Sequence, residues 1–141
     1  MSKRYSLLII DDNEVDRYLL KRQLDKTSLE VTTFEEADGL SALNFLRDYR
    51  NNRALYPEDF PPLIFFLDIN MPLLNGWEFL AEFSQLRLEH AIESSVVVMF
   101  TTSERAEDRE KAREYDFVAD YLIKGEYSSQ DLERVLLELA G

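Results

Sequence analysis

The 141-residue sequence contains no cysteine, which excludes thiol redox catalysis and cysteine-ligated zinc. It also has no apolar run that approaches the roughly 18 residues needed to cross a membrane. The first ten residues carry two bases, but their apolar run is too short for a signal peptide and leads directly into acids. We therefore expect a cytoplasmic protein with no membrane-inserted segment.

Basic residues are few compared with acids, 16 against 28, which gives a formal net charge of −12. A nucleic-acid-binding surface needs a basic patch, so this balance argues against nucleic acid as a partner. The excess of acids suits metal ions or basic partner surfaces, although solubility alone also explains it. From the chain length we expect residues 1–141 to fold as one domain, without disulfides or a structural metal.

The most informative stretch is 63–80, LIFFLDINMPLLNGWEFL. Its five opening apolar residues predict a strand buried on both faces, and Asp68 follows at the carboxyl end of that strand. Pro72 and Asn75-Gly76 then predict a turn before a helix. Ligands bind beyond the carboxyl ends of strands in open parallel sheets, so Asp68 is a candidate for chemistry. A turn-forming or capping role for this acid is the alternative.

Strand and helix patterns alternate five times along the chain. The last helix opens at Ser128, which has capping-box spacing to Asp131. Continuous apolar strands that alternate with helices predict an α/β fold of the (βα)5 type, a doubly wound five-stranded parallel sheet covered on both faces. The predicted strands are 6–10, 30–34, 63–67, 95–100 and 119–123, and the predicted helices run to about 26, over 39–49, after 76, over 104–114 and from 128.

One connection between these elements stands out by its length. Residues 51–62, NNRALYPEDFPP, are polar and contain three prolines, so the sequence predicts a loop. It is long for a connection in a compact domain, and we expect it to be functional or mobile.

Polar side chains follow four of the predicted strands. Because the carboxyl ends of parallel strands lie at one edge of the sheet, we expect these side chains to lie close together. Clustered carboxylates repel one another, and Mg²⁺ relieves this because it favours a few carboxylates together with waters and phosphate oxygens. Such a site suits a carboxylate that accepts a phosphoryl group while an ammonium and a hydroxyl contact the phosphoryl oxygens. The residues are Asp11 and Asp12, Asp68, Thr101, and Lys124.

Each of these residues also has an ordinary explanation when it is taken singly. Asp12 is a candidate N-cap for the first helix, Thr101 a strand-end turn residue, and Lys124 a solvated base. Their coincidence at successive strand ends favours the shared site.

Four motifs match a known family in order, spacing and structural context: IIDDNEVDR, LDINMPLLNGWEF, VVVMFTTS and ADYLIKG. The chain resembles, over essentially its whole length, the receiver domains of the response regulators of two-component signalling, the family that includes CheY. This resemblance implies a flavodoxin-like fold with strand order 2-1-3-4-5. It implies Asp68 as phosphoacceptor; Asp11, Asp12, Asp68 and the Asn70 backbone carbonyl as Mg²⁺ ligands; Thr101 and Lys124 as phosphoryl contacts; and Thr101 with Tyr121 as the switch pair.

Three features depart from the family pattern, and none removes a reacting group. Gly125 stands where the family usually has a proline, often after a cis bond, and a trans bond is expected here because a cis bond without proline costs about 2.5–4 kcal/mol. Thr102 stands where the family has a small residue, and we expect the larger threonine side chain to narrow access to the phosphoryl group. The 51–62 connection is longer than in a minimal receiver.

The resemblance implies a stand-alone phosphoacceptor switch that catalyses only its own phosphorylation and dephosphorylation. The chain has one histidine, His90, and no kinase signature, so the phosphoryl group must come from another molecule. The resemblance implies that the donor is a histidine kinase or a histidine phosphotransfer protein. We expect the output to be a downstream protein or a second copy of the chain. One alternative is a pseudo-receiver that only binds partners, but no acid, threonine or lysine is missing. The other is a haloacid-dehalogenase-type phosphohydrolase, which would need an Asp where Asn70 stands.

Overall fold

The computed structural model describes residues 4–90 and 92–140. Five parallel strands form one sheet in the order β2-β1-β3-β4-β5, which confirms the predicted fold class. The strands are β1 Arg4–Ile10, β2 Glu30–Glu36, β3 Ile64–Leu67, β4 Val96–Thr101 and β5 Val118–Ile123. The helices are α1 Glu14–Asp25, α2 Gly39–Arg47, α3 Tyr49–Leu55, α4 Gly76–His90, α5 Ala106–Arg113 and α6 Ser129–Ala140.

Two apolar cores, one on each face of the sheet, hold the layers together. Successive strand residues point to opposite faces, so Leu8 and Ile10 of β1 pack with α2 and α4, and Leu7 and Ile9 pack with α1 and α6. All four side chains are fully buried. Burial on both faces explains why the inner strands are continuous apolar runs. No helix in the described ranges is long and apolar enough to cross a bilayer.

The predicted loop over residues 51–62 is wrong in its first half. The second helix ends at Arg47 instead of Tyr49, and the chain then forms α3 as far as Leu55. Asn52 of α3 is buried and donates a hydrogen bond to the Phe45 carbonyl at 2.6 Å. These polar, weakly periodic residues gave no helical signal because tertiary contacts, and not an apolar stripe, fix the helix.

The remainder of that connection is anchored to the body of the protein. Phe60 is buried, and its ring lies 5.3 Å from that of Phe45 and 5.4 Å from that of Tyr49. Arg4 at the start of β1 pairs with Asp59 at 2.8 Å. These contacts argue against the expected mobility of the segment.

Two helices begin with reciprocal capping boxes. Ser128 and Asp131 exchange backbone-to-side-chain hydrogen bonds of 2.9 and 3.1 Å, as the sequence predicts for α6. The same exchange joins Asn75 and Glu78 at 3.0 and 2.9 Å and fixes the start of α4, which the sequence reasoning missed. Both boxes satisfy backbone N–H groups that a helix start leaves without partners.

Gly76 brings α4 close to the end of β3. Its N–H donates to the Ile69 carbonyl at 2.7 Å, and a Cβ at this position would lie 2.4 Å from the Asp68 carbonyl oxygen. The same Cβ would lie 2.9 Å from the Ile69 Cα. Because both neighbours are backbone atoms, the turn that positions Asp68 requires a residue without a side chain.

We predict that Gly76→Ala destabilises the protein by about 2 kcal/mol, the usual scale of overpacking, although alanine is the better helix former. The free energy of unfolding in urea measures this. Gln85→Ala, at an exposed position of the same helix, is the matched control and should stay within about 0.5 kcal/mol of wild type. Equal unfolding midpoints for Gly76→Ala and wild type would contradict the close approach.

Candidate functional site

Three carboxylates meet at the carboxyl edge of the sheet, beyond β1 and β3. Asp11 is fully buried, Asp68 is 6% exposed, and Asp12 is exposed. One oxygen from each lies within 4.8 Å of the others. Asn13 is the N-cap of α1 and accepts the Asp16 N–H at 3.0 Å, so a capping role for Asp12 is excluded.

Backbone hydrogen bonds orient the two buried carboxylates. Asp11 Oδ1 accepts the N–H of Asn13 at 2.9 Å, and Asp68 Oδ1 accepts the N–H of Ile69 at 2.8 Å. In both residues the second oxygen, Oδ2, faces the ammonium of Lys124. The strand-end turns therefore fix which oxygen each acid presents to the site.

Lys124, directly after β5, supplies the positive charge of the site. Its Nζ lies 2.7 Å from Asp11 Oδ2, 2.9 Å from Asp16 Oδ2 and 3.3 Å from Asp68 Oδ2. The lysine side chain is 10% exposed. The Lys124 N–H donates to the Thr101 carbonyl at 2.8 Å, so the end of β5 is fixed to the end of β4.

The sequence reasoning missed Asp16. The residue belongs to the first motif, IIDDNEVDR, and the only available signal was its place in the first turn of a helix that opens at the site. Its contact with a lysine 108 residues away is a product of the tertiary fold.

Burial and the charge of Lys124 act in opposite directions on the pKa values of the two buried acids. Burial raises the pKa of Asp68 to about 6; Lys124 opposes this effect and the charge of Asp11 adds to it. Burial also raises the pKa of Asp11 against the influence of Lys124. Burial acts to lower the pKa of Lys124, but its contacts with Asp11 and Asp16 and the charge of Asp68 outweigh burial and raise it. One ammonium thus forms ion pairs with three carboxylates.

The donor set fits a hard divalent cation. Asp11 Oδ2 is buried and lies 2.7 Å from the Lys124 ammonium. Oxygen ligands from a few carboxylates are what Mg²⁺ prefers. The carboxylates of Asp11, Asp12 and Asp68 are close enough to share such an ion.

Other residues named from the sequence lie around the site. Asn70 is exposed in the β3–α4 loop and lines a cleft of about 450 Å³ together with Trp77, Thr102 and Arg105. Thr102 is exposed at the mouth of this cleft. Gly125 has φ +81, a left-handed conformation that favours glycine over the family's proline, and the bond before it is trans.

Ser103 connects the two residues of the expected switch pair. Thr101 is fully buried, and its hydroxyl oxygen accepts the N–H of Ser103 at 3.2 Å. The Tyr121 hydroxyl donates to the Ser103 carbonyl at 2.9 Å, and the Arg109 guanidinium lies 4.5 Å from the Tyr121 ring centroid. The Ser103 hydroxyl also bonds to Asp108 of α5. Sequence reasoning missed Ser103, since only the run Thr-Thr-Ser after β4 marked it as a turn residue.

We predict that Asp68→Asn makes the metal-free protein more stable at pH 7.5, by on the order of 2 kcal/mol. Because the folded-state pKa of Asp68 is raised, this carboxyl favours the native state only when protonated, and its unfavourable effect grows as pH rises from about 4 through 6. Urea unfolding in EDTA at pH 7.5 and at pH 4 measures the difference, which should shrink at pH 4.

Asp25→Asn is the matched control, because Asp25 is exposed at the end of α1, and its free energy of unfolding should stay within about 0.5 kcal/mol of wild type. A lower stability of Asp68→Asn than of wild type at pH 7.5 would contradict the electrostatic account.

Comparisons with known proteins agree with this geometry. The model of the response regulator receiver domain family matches residues 7–136. FilR2 of Methanothrix harundinacea, named a probable methanogenesis regulatory protein, is 29% identical over 136 residues, which are 96% of this chain and 81% of that protein.

Two solved structures extend the comparison. A two-component response regulator from Cytophaga hutchinsonii is 26% identical, with a TM-score of 0.81 over 99% of this chain and 98% of that one. The Mn²⁺-bound form of response regulator Rcp1, a protein of Synechocystis, is 26% identical, with a TM-score of 0.70 over 93% of this chain and 88% of that one. Because the family model spans nearly the whole sheet and every strand end of the site, the chain belongs to the response regulator receiver domain family.

Proposed function

We propose that the chain is a phosphoacceptor switch in which Asp68 receives the phosphoryl group. The observation that carries this proposal is the buried Asp68 carboxylate, whose Oδ2 lies 3.3 Å from Lys124 Nζ inside a cluster of acids. Receiver domains are signalling modules and not enzymes of the ordinary kind. The only catalysis proposed here is the chain's own phosphorylation and dephosphorylation.

The reaction is a simple displacement at phosphorus. An Asp68 oxygen forms a bond to phosphorus while the bond from phosphorus to the donor atom breaks, and the donor leaves with that electron pair. The Lys124 ammonium neutralises charge on the phosphoryl oxygens, and the Thr101 hydroxyl donates a hydrogen bond to one of them. The backbone bond from Lys124 to Thr101 fixes the two strand ends from which these side chains project, so only side-chain rotations are left to complete the arrangement.

Asp11, Asp12, Asp68 and the Asn70 carbonyl would hold a divalent cation, for which we propose Mg²⁺. When bound, Mg²⁺ would supply positive charge to the phosphoryl oxygens and reduce repulsion among the acids. The close approach of the Asp11, Asp12 and Asp68 oxygens supports this assignment, and so does the Mn²⁺ in the structure of Rcp1.

The switch proposal uses the Thr101–Ser103–Tyr121 connection. If Thr101 turns its hydroxyl toward a phosphorylated Asp68, it gives up its bond to Ser103 and changes the turn that holds the Tyr121 hydroxyl. Helix α5, which carries one buried residue, Ala112, has little apolar surface to keep it in place. The surface of α5, β5 and α6 would then change its affinity for a partner, to the extent that the phosphoryl group contacts the two states differently.

Receiver domains in general interact with histidine kinases and with downstream targets. We propose a histidine kinase or a histidine phosphotransfer protein as donor, because the chain belongs to this family. The chain's one histidine, His90, stacks on Tyr49 with ring centroids 5.3 Å apart, and we assign it no part in the transfer. A downstream protein or a second copy would read the switched surface. Stand-alone action, a cytoplasmic location and the lack of nucleic-acid binding stay predictions.

The alternatives make different predictions for the same site. A pseudo-receiver would bind partners without accepting a phosphoryl group. A phosphohydrolase of the haloacid-dehalogenase type would release phosphate over many turnovers, and it needs a general acid where this chain has the amide Asn70.

Incubation with acetyl phosphate and Mg²⁺, followed by intact-mass measurement, tests the proposal. We expect the mass to rise by one phosphoryl group in Mg²⁺ and not in EDTA, because the proposed acceptor, Asp68, shares its cation site with Asp11 and Asp12. Asp68→Asn should take up none, Asp12→Asn should need more Mg²⁺, and the matched control Asp25→Asn should behave as wild type.

A mass gain that persists in Asp68→Asn would disprove the assignment of the phosphoacceptor. No gain in wild type at any Mg²⁺ concentration would favour the pseudo-receiver. Continuous release of phosphate, in large excess over protein, would favour the phosphohydrolase.

A further inference from the structure

Asp16 is the partner of Lys124 that the proposed chemistry leaves unused. Its carboxylate lies 2.9 Å from Lys124 Nζ, closer than Asp68, and its side chain is 26% exposed. The cluster of oxygens able to share a cation consists of Asp11, Asp12 and Asp68, and does not include Asp16. Asp16 is therefore the carboxylate that would still be available to Lys124 with a metal ion bound to Asp11, Asp12 and Asp68.

We propose that Asp16 is a positioning residue that keeps the Lys124 ammonium beside Asp68 during phosphoryl transfer. This inference rests on the proposed function, since it names the residue that orients one of its reacting groups.

Lys124 is surrounded by more negative charge than its single ammonium carries. An ammonium has three N–H donors, and three carboxylate oxygens lie within 3.3 Å of this one. A divalent cation shared by Asp11 and Asp68 would draw charge from two of the three and would also repel the ammonium. Lysine has a flexible four-carbon stem, so without a further partner Lys124 would be free to turn toward solvent.

Asp16 is well placed to prevent that movement. It lies in the first turn of α1, where its N–H donates to the N-cap oxygen of Asn13. The helix is held on the sheet by the buried side chains of Leu20 and Leu24. The carboxylate of Asp16 is thus fixed relative to the strand ends, and a group fixed before the reaction contributes most to positioning.

The chemical step is the transfer already described: the Asp68 oxygen bonds to phosphorus, and the acetate of acetyl phosphate leaves with the electrons of the broken bond. Asp16 contacts neither group. It acts only by holding Lys124, whose charge is needed as the phosphoryl oxygens approach.

The test compares Asp16→Asn with Glu14→Gln at a Mg²⁺ concentration that saturates each variant. Both changes remove one negative charge from the first turn of α1, but Glu14 is exposed and has no ion pair among the described residues. We expect the rate constant for phosphorylation of Asp68 by acetyl phosphate to fall about tenfold in Asp16→Asn, the scale of a lost charge-assisted hydrogen bond that positions a reacting group. Glu14→Gln should stay within about twofold of wild type.

A double-mutant cycle with Lys124→Gln separates positioning from a general effect on the site. If Asp16 acts through Lys124, then Asp16→Asn should have no further effect on the rate in the Lys124→Gln background. A second readout does not need the phosphoryl group: the ¹H–¹⁵N NMR signal of the Lys124 ammonium in Mg²⁺ should be present in wild type and lost in Asp16→Asn.

Each outcome decides the proposal. An unchanged rate and an unchanged ammonium signal in Asp16→Asn, in a wild type that does accept a phosphoryl group, would overturn the role of Asp16 and leave the proposed function intact. An equal fall in rate with and without Lys124 would also overturn it. Failure of wild type itself to gain mass would overturn the proposed function and this inference together.

Discussion

The contact of one ammonium with three carboxylates is the interaction on which this site depends. Carboxylate oxygens within 4.8 Å of each other repel by about 3 kcal/mol per pair at an effective dielectric constant near 20. Lys124 lies within 3.3 Å of Asp11, Asp16 and Asp68 and offsets part of this repulsion. Burial raises the pKa of Asp68 in spite of Lys124, so the charged form of this buried carboxyl remains unfavourable in the folded protein. A site with this excess of carboxylates favours added positive charge, and the proposed metal-dependent phosphoacceptor requires such a site.

The fold makes this concentration of charge tolerable by fixing the strand ends. Fully buried cores on both faces of the sheet hold β1 and β3 in place, and the backbone bond from Lys124 to Thr101 ties β5 to β4. Gly76 allows α4 to begin against the Asp68 carbonyl. Because these contacts hold the backbone at the strand ends, the proposed switch relies on side-chain movement and on α5, in which Ala112 is the one buried residue.

Sequence patterns predict those parts of the protein that depend on local order. The buried run before Asp68 and the alternation of strands and helices predict the sheet, and its parallel strands bring Asp11 and Lys124 together at one edge. The α3 helix could not be predicted, since its buried Asn52 is held by a contact with the preceding helix. Neither could the contacts of Asp16 and Ser103, because each residue meets a partner far away in the chain.

The central claim is that charge added at Asp68 is transmitted through Thr101, Ser103 and Tyr121 to the surface that α5 and β5 share. Amide hydrogen exchange with and without Mg²⁺ and beryllofluoride, a phosphoryl mimic, tests this claim most directly. The account predicts that protection changes most in residues 101–125 of wild type and stays constant there in Asp68→Asn. Constant protection over 101–125 in wild type, with the change on another face, would contradict it.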